Sequence, residues 1–514
     1  MNKFKISWFK FVILNTFIVF LCNFTLFRYI YSNLDVINNI FMTITLPIMC
    51  FCIWASILSI LYLPYLTKII SIIIISVSSL SLYFMYFYGV IIDSDMINNL
   101  FETDTKEALS FINLKFIAWI LFFVILPCLF IFIVRIDYGS FKRHLAVKFG
   151  FVFLCLAVAG IFLFLQTNTM IPFARNHNKI KSYHTPFYQI YSVRKYFVKK
   201  YIISKKKLEL IATDAIKALN ADTKLMVFVI GETARAANYS LGGYKGNETN
   251  FYLKNVENLT YFSNVYSCGT STAISVPCMF SKSTRSEFSD TQYQENALDV
   301  LKRVGVDTIW LGNNTGGCKG VCDRLDKQGV KYFGGGFDAD MLDDIKNSIN
   351  ETTKDRIIIV HLQGSHGPTY YQRYPKEFDK FKPTCDTNEL GKCSPESIRN
   401  TYDNTLLYTD YFLNEIINIV KDKGIKDSTL WYVSDHGESL GEDGLYLHGM
   451  PYLVAPDYQK HVPMVLFSNN DLIFKSFNDK AYNNLSHDNV FSSLLGYFGV
   501  KTKDYKKDYD LFSD

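Results

Sequence analysis

Five stretches of this chain, residues 6–27, 41–63, 69–92, 116–134 and 147–165, are long and apolar enough to leave water altogether. Crossing a bilayer takes about 20 such residues, because the hydrocarbon core offers nothing to bond an open backbone N–H or C=O. All five precede residue 166 of a 514-residue chain, so the sequence must build at least two units for two different solvents. Pro47 and Pro127 fall inside the second and fourth stretches, where a spanning helix tolerates them.

The cations in the short connections orient this bundle. Lys3, Lys5, Lys10, Lys68, Arg135, Lys142, Arg143 and Lys148 fall on one side, against Arg28, Lys106 and Lys115 on the other. The positive-inside rule then puts the N-terminus in the cytoplasm and everything after about residue 166 on the outer face. The first apolar run lacks a small-residue cleavage site and is followed by further spans, so it reads as an anchor and not as a cleaved signal peptide.

Cysteine placement is an independent test of that orientation. Cys22, Cys50, Cys52, Cys128 and Cys155 lie in the apolar spans and read as small hydrophobes. The other six form three close pairs, Cys268 with Cys278, Cys318 with Cys322 and Cys385 with Cys393. An even set confined to the outer part is expected in an oxidising compartment, and neighbour pairing closes the shortest loops. Zinc is the rival reading of Cys318 and Cys322, but no second such pair lies nearby. The net charge of +5 is too small to imply nucleic acid.

Three regions result: a transmembrane domain over 1–166, a linker over 167–222 and a catalytic domain over 223–514. Pro172 and Pro186 interrupt the start of the linker, and its basic run 194–207 reads as an amphipathic bridging helix near anionic head groups or as a solvated helix face. Beyond residue 223, strands are expected at 225–230, 260–265, 308–311, 356–361, 429–433 and 462–467, and helices at 294–303, 394–420 and 489–498. Such alternation specifies an α/β domain with a largely parallel sheet.

Chemistry concentrates where these strands stop. Glu232 follows the first strand, Asp435 and His436 follow the fifth, and Thr272 stands on the small-residue turn Cys268-Gly-Thr-Ser-Thr-Ala273. In open α/β sheets ligands bind at that edge. Threonine is a poor nucleophile until its proton is removed or a cation stabilises the alkoxide. Zinc does both, and Glu232, Asp435, His436 and Thr272 supply four donors of the kind it accepts.

Six of the nine histidines follow residue 360. Three of them, His366, His448 and His461, sit beside glycine or proline in loops, placed to bind a second zinc, contact a phosphate or move a proton. The glycine-rich loop from Asn313 and Asn314 to Lys319 adds donors suited to an anionic phosphodiester.

Val229-Ile-Gly-Glu-Thr-Ala-Arg235, Cys268-Gly-Thr-Ser-Thr-Ala273, Val276-Pro-Cys-Met-Phe280, Gly364-Ser-His-Gly-Pro368, Ser434-Asp-His-Gly-Glu438 and the Ala455-Pro to His461-Val-Pro463 segment together resemble the bacterial phosphoethanolamine transferases, the group that includes the mobile colistin-resistance enzymes. The resemblance covers almost the whole chain. It implies an alkaline-phosphatase/sulfatase-type α/β/α sandwich carried by five transmembrane helices in the inner membrane and facing the periplasm. It further implies Thr272 as the nucleophile that accepts phosphoethanolamine, with Zn2+ on Glu232, Thr272, Asp435 and His436. His366 and His448 would serve substrate or a second zinc. Asn314 and Lys319 match the substrate loop less closely, since Gly316-Gly317-Cys318 carries an extra residue. The donor would be phosphatidylethanolamine, the acceptor lipid A or another lipooligosaccharide, the phenotype polymyxin resistance and the working form a monomer among membrane lipids. The rival is a glycerol-phosphate transferase of the same superfamily, which should lack the disulfides. A sulfatase is disfavoured because its C/S-x-P-x-R motif does not occur around Thr272.

Overall fold

With no water to bond to, the apolar stretches close their backbone hydrogen bonds internally as helices. The computed structural model describes residues 5–34, 36–37, 39–102, 112–166, 170, 173–174, 177–198, 200–201, 207–218, 222–289, 292–314, 316–334, 336–388 and 390–513. Lys3, Lys106, Pro172, Thr315 and residues 199 and 202–206 of the basic run lie outside them. Contacts divide the chain into two compact units, Met1–Ile97 with Ile112–Lys195 and Asn98–Phe111 with Tyr196–Asp514. Residues 167–222 are thus shared between the units.

In the first unit, helices α1 (Trp8–Cys22), α2 (Phe24–Asn33), α3 (Ile40–Leu61), α4 (Thr67–Phe87), α5 (Leu114–Ile133) and α6 (Phe141–Leu165) account for the five expected spans. Four are single helices of spanning length, and α1 with α2 makes the fifth as a pair bent by 52°. The break falls at Asn23, whose Nδ2 donates to Val19 O at 2.8 Å and Thr185 O at 2.7 Å while its Oδ1 accepts from Thr185 N at 3.0 Å. Apolar composition alone shows no such break. Pro127 has no N–H to give the preceding turn, and the five residues before Leu126 widen into a π-helical segment, Leu121–Ile125. Helix α4 stops at Phe87, short of the expected residue 92, and Gly89 follows at φ +70°. Two short parallel strands, β1 (Lys5–Ser7) and β2 (Arg135–Asp137), tie the start of α1 to the α5–α6 connection.

The second unit is built on a seven-stranded sheet. Its strands are β3 (Lys224–Gly231), β4 (Leu259–Phe262), β5 (Asp307–Gly312), β6 (Val330–Tyr332), β7 (Arg356–His361), β8 (Asp427–Ser434) and β9 (Met464–Ser468). They lie in the order β4-β9-β8-β3-β7-β5-β6, and only β9 runs against the rest. The central strands read as unbroken apolar runs because both faces are covered. On one face Met226, Phe228, Ile230 and Trp431 pack with Val276 and Met279 of α7 (Thr272–Met279) and with Phe491 and Leu494 of α9 (Asp488–Tyr497). On the other lie Val227, Val229 and Tyr432 of the strands and Leu406, Leu413 and Ile417 of the long helix α8 (Pro395–Lys423), all buried. That helix starts on Ser394, which caps Ser397 N with Pro395 behind it, and ends on Gly424 at φ +68°, the arrangement helix termini prefer.

Several boundaries differ from the sequence reading for local reasons. The strand expected at 260–265 divides into Leu259–Phe262 and Val265–Tyr266. The helix expected from 294 starts at Ala297, because Asn296 and Asp299 close a capping box there. The small-residue turn carrying Thr272 in fact runs into the first turn of α7, with Ser271 at the position before it.

The cysteines outside the spans form the disulfides Cys268–Cys278, Cys318–Cys322 and Cys385–Cys393, while Cys22, Cys50, Cys52, Cys128 and Cys155 are free. Alkylation of the denatured, non-reduced protein should therefore label the five span cysteines, rising to all 11 after reduction. Intact mass checks this, and seven or more labelled sites before reduction would contradict it.

Candidate active site

Strands β3 and β8 are parallel neighbours in register, with Gly231 opposite Ser434. The next residue of each, Glu232 and Asp435, therefore emerges at the same point on the sheet's C-terminal edge. The Thr272 hydroxyl reaches this point from the start of α7, 3.0 Å from Glu232 Oε2 and 3.4 Å from His436 Nε2. His436 Nε2 lies 3.3 Å from Asp435 Oδ2 and 3.5 Å from Glu232 Oε1. Glu232, Asp435 and His436 are buried, with ligand atoms within 4.8 Å of one another, and Thr272 is half-buried and accessible.

The donor set fits a divalent cation. His436 Nδ1 contacts the Gly437 carbonyl at 3.0 Å, which can only accept, so Nδ1 carries a proton and Nε2 is the ring nitrogen turned toward two carboxylates. Asp435 Oδ2 is buried without a hydrogen-bond partner. Lone pairs gathered this way repel unless a cation or protons lie among them. Burial raises both acids: with the neighbouring Asp435 charge it holds Glu232 above its usual range, and it pushes Asp435 up to about 7.

Backbone and side chains around the cluster fix its geometry. Thr233, at φ +61°, occupies the left-handed region that β-branched residues avoid. This turn points its N–H at Asp435 Oδ1 (3.0 Å) and its hydroxyl at Glu232 Oε1 (2.5 Å). Asp435 Oδ1 also accepts from His436 N at 2.7 Å. At Gly437 any Cβ would stand 2.1 Å from Tyr458 O, so only glycine lets the chain turn there.

His366 and His448 join this edge. The His448 ring lies 4.3 Å from that of His436 and 5.4 Å from that of His366, centre to centre. Burial pushes both pKa values down to about 3, so both are neutral at neutral pH. His366 Nδ1 donates to Gly367 O at 2.8 Å and His448 Nδ1 to Glu438 Oε2 at 3.0 Å. In each ring Nε2 is left as the unprotonated nitrogen.

The remaining candidates divide. Asn314 belongs to the cluster, but it acts on the protein: its Nδ2 donates to Glu232 Oε2 at 2.7 Å. Lys319, at φ +51°, curls over Gly316, where a Cβ would meet its Nζ at 2.5 Å. His461 is not brought into the cluster. Its ring stacks on Tyr266 and its Nε2 donates to Ser263 O at 2.9 Å, so it holds two loop segments together.

Three contributors were missed by sequence reasoning. Glu438 orients His448 and accepts from Tyr370 Oη at 3.1 Å; its place two residues after His436 was the available signal. Thr233 gave none, since nothing in a sequence marks a threonine at positive φ. The third, His487, accepts from Cys268 N at 3.1 Å through Nδ1 and donates from Nε2 to Ser434 O at 3.0 Å, tying the loop that leads to Thr272 to the end of β8.

Fold and site together define a membrane-anchored member of the alkaline-phosphatase/sulfatase class, with the Thr272 hydroxyl at a metal-type cluster on the sheet edge. The sulfatase family model matches residues 224–500, and the model described as phosphoethanolamine transferase EptA/EptB matches residues 50–201. The chain is 35% identical over 508 residues to phosphoethanolamine transferase EptA of Escherichia coli K12, covering 93% of this chain and 91% of that protein. It is 38% identical over 449 residues to phosphatidylethanolamine transferase Mcr-1 of Escherichia coli, covering 83% and 82%. The solved integral-membrane lipooligosaccharide phosphoethanolamine transferase A (EptA) of Neisseria meningitidis superposes with a TM-score of 0.92 at 32% identity, covering 99% of both chains. The chain belongs to the phosphoethanolamine transferase family, as a multi-pass membrane protein with a soluble C-terminal domain.

The buried His487 gives the stability of this domain a defined pH dependence. Burial pushes it down to about 4 in the folded protein, against about 6.5 in an unfolded chain. Below 6.5 the unfolded state takes up a proton that the native state refuses. Stability is therefore lost as pH falls from about 6.5 to about 4, by up to about 3 kcal/mol from this residue. Over that window the thermal midpoint of the full chain in detergent should fall, and His487→Asn should flatten the slope. A slope unchanged by the substitution would contradict the assignment.

Proposed function

We propose that this protein transfers phosphoethanolamine from phosphatidylethanolamine to lipid A, or to another glycan acceptor on the outer face, through a covalent intermediate on Thr272. One observation carries the reading: a hydroxyl at a helix start, 3.0 Å from a buried carboxylate, faces an imidazole nitrogen and an unpartnered carboxylate oxygen. The relatives' names supply the transferred group. Residues 1–166 anchor the enzyme in the inner membrane, residues 167–222 bridge, and residues 223–514 form the periplasmic catalytic domain. Both the donor and the acceptor are membrane lipids, which is why a soluble hydrolase fold carries spans.

Glu232, Thr272, Asp435 and His436 would hold Zn2+, their two carboxylates, imidazole and hydroxyl being donors it accepts. Bound there, zinc supplies the polarisation that makes a threonine hydroxyl nucleophilic near neutral pH and offsets the charge of the phosphodiester. In the first half-reaction the Thr272 proton passes to Glu232 Oε2, its nearest base, and Thr272 Oγ1 bonds to phosphorus. The bond from phosphorus to the diacylglycerol oxygen breaks, and diacylglycerol leaves with the proton that Glu232 took from Thr272. In the second, the oxygen of an acceptor hydroxyl or protonated phosphate bonds to the same phosphorus, the Thr272 bond breaks, and the proton the acceptor oxygen loses returns to Thr272 Oγ1. His366 and His448 present unprotonated Nε2 atoms to the acceptor's hydroxyl or to a second zinc. Adding an ethanolamine cation to the acceptor weakens its Coulomb attraction for cationic peptides, hence polymyxin resistance.

Intact mass of the full-length protein after incubation with phosphatidylethanolamine tests the reading. Wild type should gain one phosphoethanolamine, mapped to Thr272, and Thr272→Ala should gain none. A glycerol-phosphate adduct from phosphatidylglycerol in its place would move the enzyme to the rival class. A second test separates Asn314 from the chemistry: Asn314→Ala should lower kcat by about 10-fold or more through a misplaced Glu232, with KM nearly unchanged. A rise in KM alone would assign it to substrate binding.

A further inference from the structure

Thr233 holds a left-handed conformation that costs a β-branched residue free energy, directly beside Glu232. Strain of this kind persists only where the surrounding contacts over-determine it. Three successive N–H groups show how the turn is held: Thr233 N donates to Asp435 Oδ1 at 3.0 Å, Ala234 N to Ser434 Oγ at 2.9 Å and Arg235 N to Tyr402 Oη at 2.9 Å. The first two acceptors belong to the end of β8 and the residue after it. The third comes from helix α8, and the same hydroxyl donates to Thr233 O at 2.8 Å. From this geometry we infer that Tyr402 is a positioning residue for the transfer, its hydroxyl clamping both sides of the left-handed turn and so holding Glu232 and Asp435 at Thr272; this rests on the transfer reading of that site.

A buried phenol suits the task because one hydroxyl on a rigid ring both donates and accepts. Packing aims it. Tyr402 is fully buried, its ring stands edge-on to that of Tyr370 with centres 5.5 Å apart, and the Arg235 guanidinium lies 5.7 Å from its centre. One turn further along α8, on the same helix face, the Thr405 and Ser365 hydroxyls lie 2.6 Å apart, and Ser365 N donates to Glu232 O at 3.0 Å. Helix α8 thus reaches the Glu232 backbone from two directions, through the residues that follow it and through the loop beside it. Without the Tyr402 hydroxyl, the buried Thr233 C=O and Arg235 N–H would lose this partner, a cost that a relaxed turn avoids. Relaxation would carry the Thr233 N–H away from Asp435 Oδ1 and its hydroxyl away from Glu232 Oε1.

Tyr402→Phe keeps the ring and removes only the hydroxyl. In the zinc-supplied full chain with saturating phosphatidylethanolamine, it should slow formation of the Thr272 adduct by about 10-fold or more, with the half-saturating lipid concentration within about 2-fold of wild type. Hydrogen exchange of the 232–236 backbone, followed without lipid substrate, should quicken by about 10-fold or more. Tyr497→Phe is the control, because the buried Tyr497 hydroxyl contacts the Leu225 and Asp427 carbonyls, each at 2.9 Å, at the opposite ends of β3 and β8. It should keep both the rate and the exchange. Thr233→Gly makes the left-handed turn unstrained, so in that background Tyr402→Phe should change rate and exchange by no more than about 2-fold. This pair decides the matter if Tyr402→Phe alone does not fold. Wild-type rate and exchange in Tyr402→Phe, a rise in half-saturating concentration alone, or an equal loss in Tyr497→Phe would overturn the proposal. A wild type that forms no adduct would remove the transfer reading instead, and the exchange of Tyr402→Phe would still decide whether the hydroxyl holds the turn.

Discussion

Everything in the catalytic unit answers to two carboxylates pressed together away from water. Removing each from solvent costs several kcal/mol. Their mutual repulsion, with ligand atoms within 4.8 Å, adds on the order of 3 kcal/mol at an effective dielectric constant of about 20. Hydrogen bonds to Glu232 from Thr233 and Asn314, and to Asp435 from two backbone N–H groups, offset part of this. Asp435 Oδ2 gains nothing from them. A cation held there would satisfy that oxygen, turn the repulsion into attraction and take the His436 Nε2 as a further ligand, which would offset the cost of the arrangement.

The scaffold serves that pair. In-register parallel strands deliver both acids to one edge, and α7 delivers the hydroxyl. His487 ties the loop before the hydroxyl to the strand end beside Asp435. Arg235, 5% exposed, sends its guanidinium to the Glu438 carbonyl and the Glu442 carboxylate between the rings of Tyr402 and Tyr458. It thereby fixes the loop that carries Glu438, and through Glu438 the orientation of His448. Reactive groups are few; the groups that aim them are many.

The difference in legibility between these two sets is physical. Spans and buried strands are readable because solvent imposes runs and periods on composition: 356–361 appears as Arg356–His361, and each apolar stretch became helical, the first of them as a bent pair. Reactive side chains at strand ends are readable because their types are rare in that position. The bend at Asn23, the left-handed Thr233 and the inward turn of Asn314 depend on contacts with residues 82 to 202 positions away, and no local pattern encodes such contacts. His461 shows the opposite failure. Its flanking residues resemble those of a site histidine, yet its ring fell against Tyr266.

The central claim is that the convergence of Thr272, Glu232, Asp435 and His436 is a metal site. Anomalous diffraction from crystals of the full chain, collected on both sides of the zinc absorption edge, tests it most directly. The expected result is a peak among those four side chains that vanishes below the edge and is lost in Asp435→Asn. No peak there in zinc-supplemented crystals, or zinc bound only elsewhere on the protein, would contradict the account.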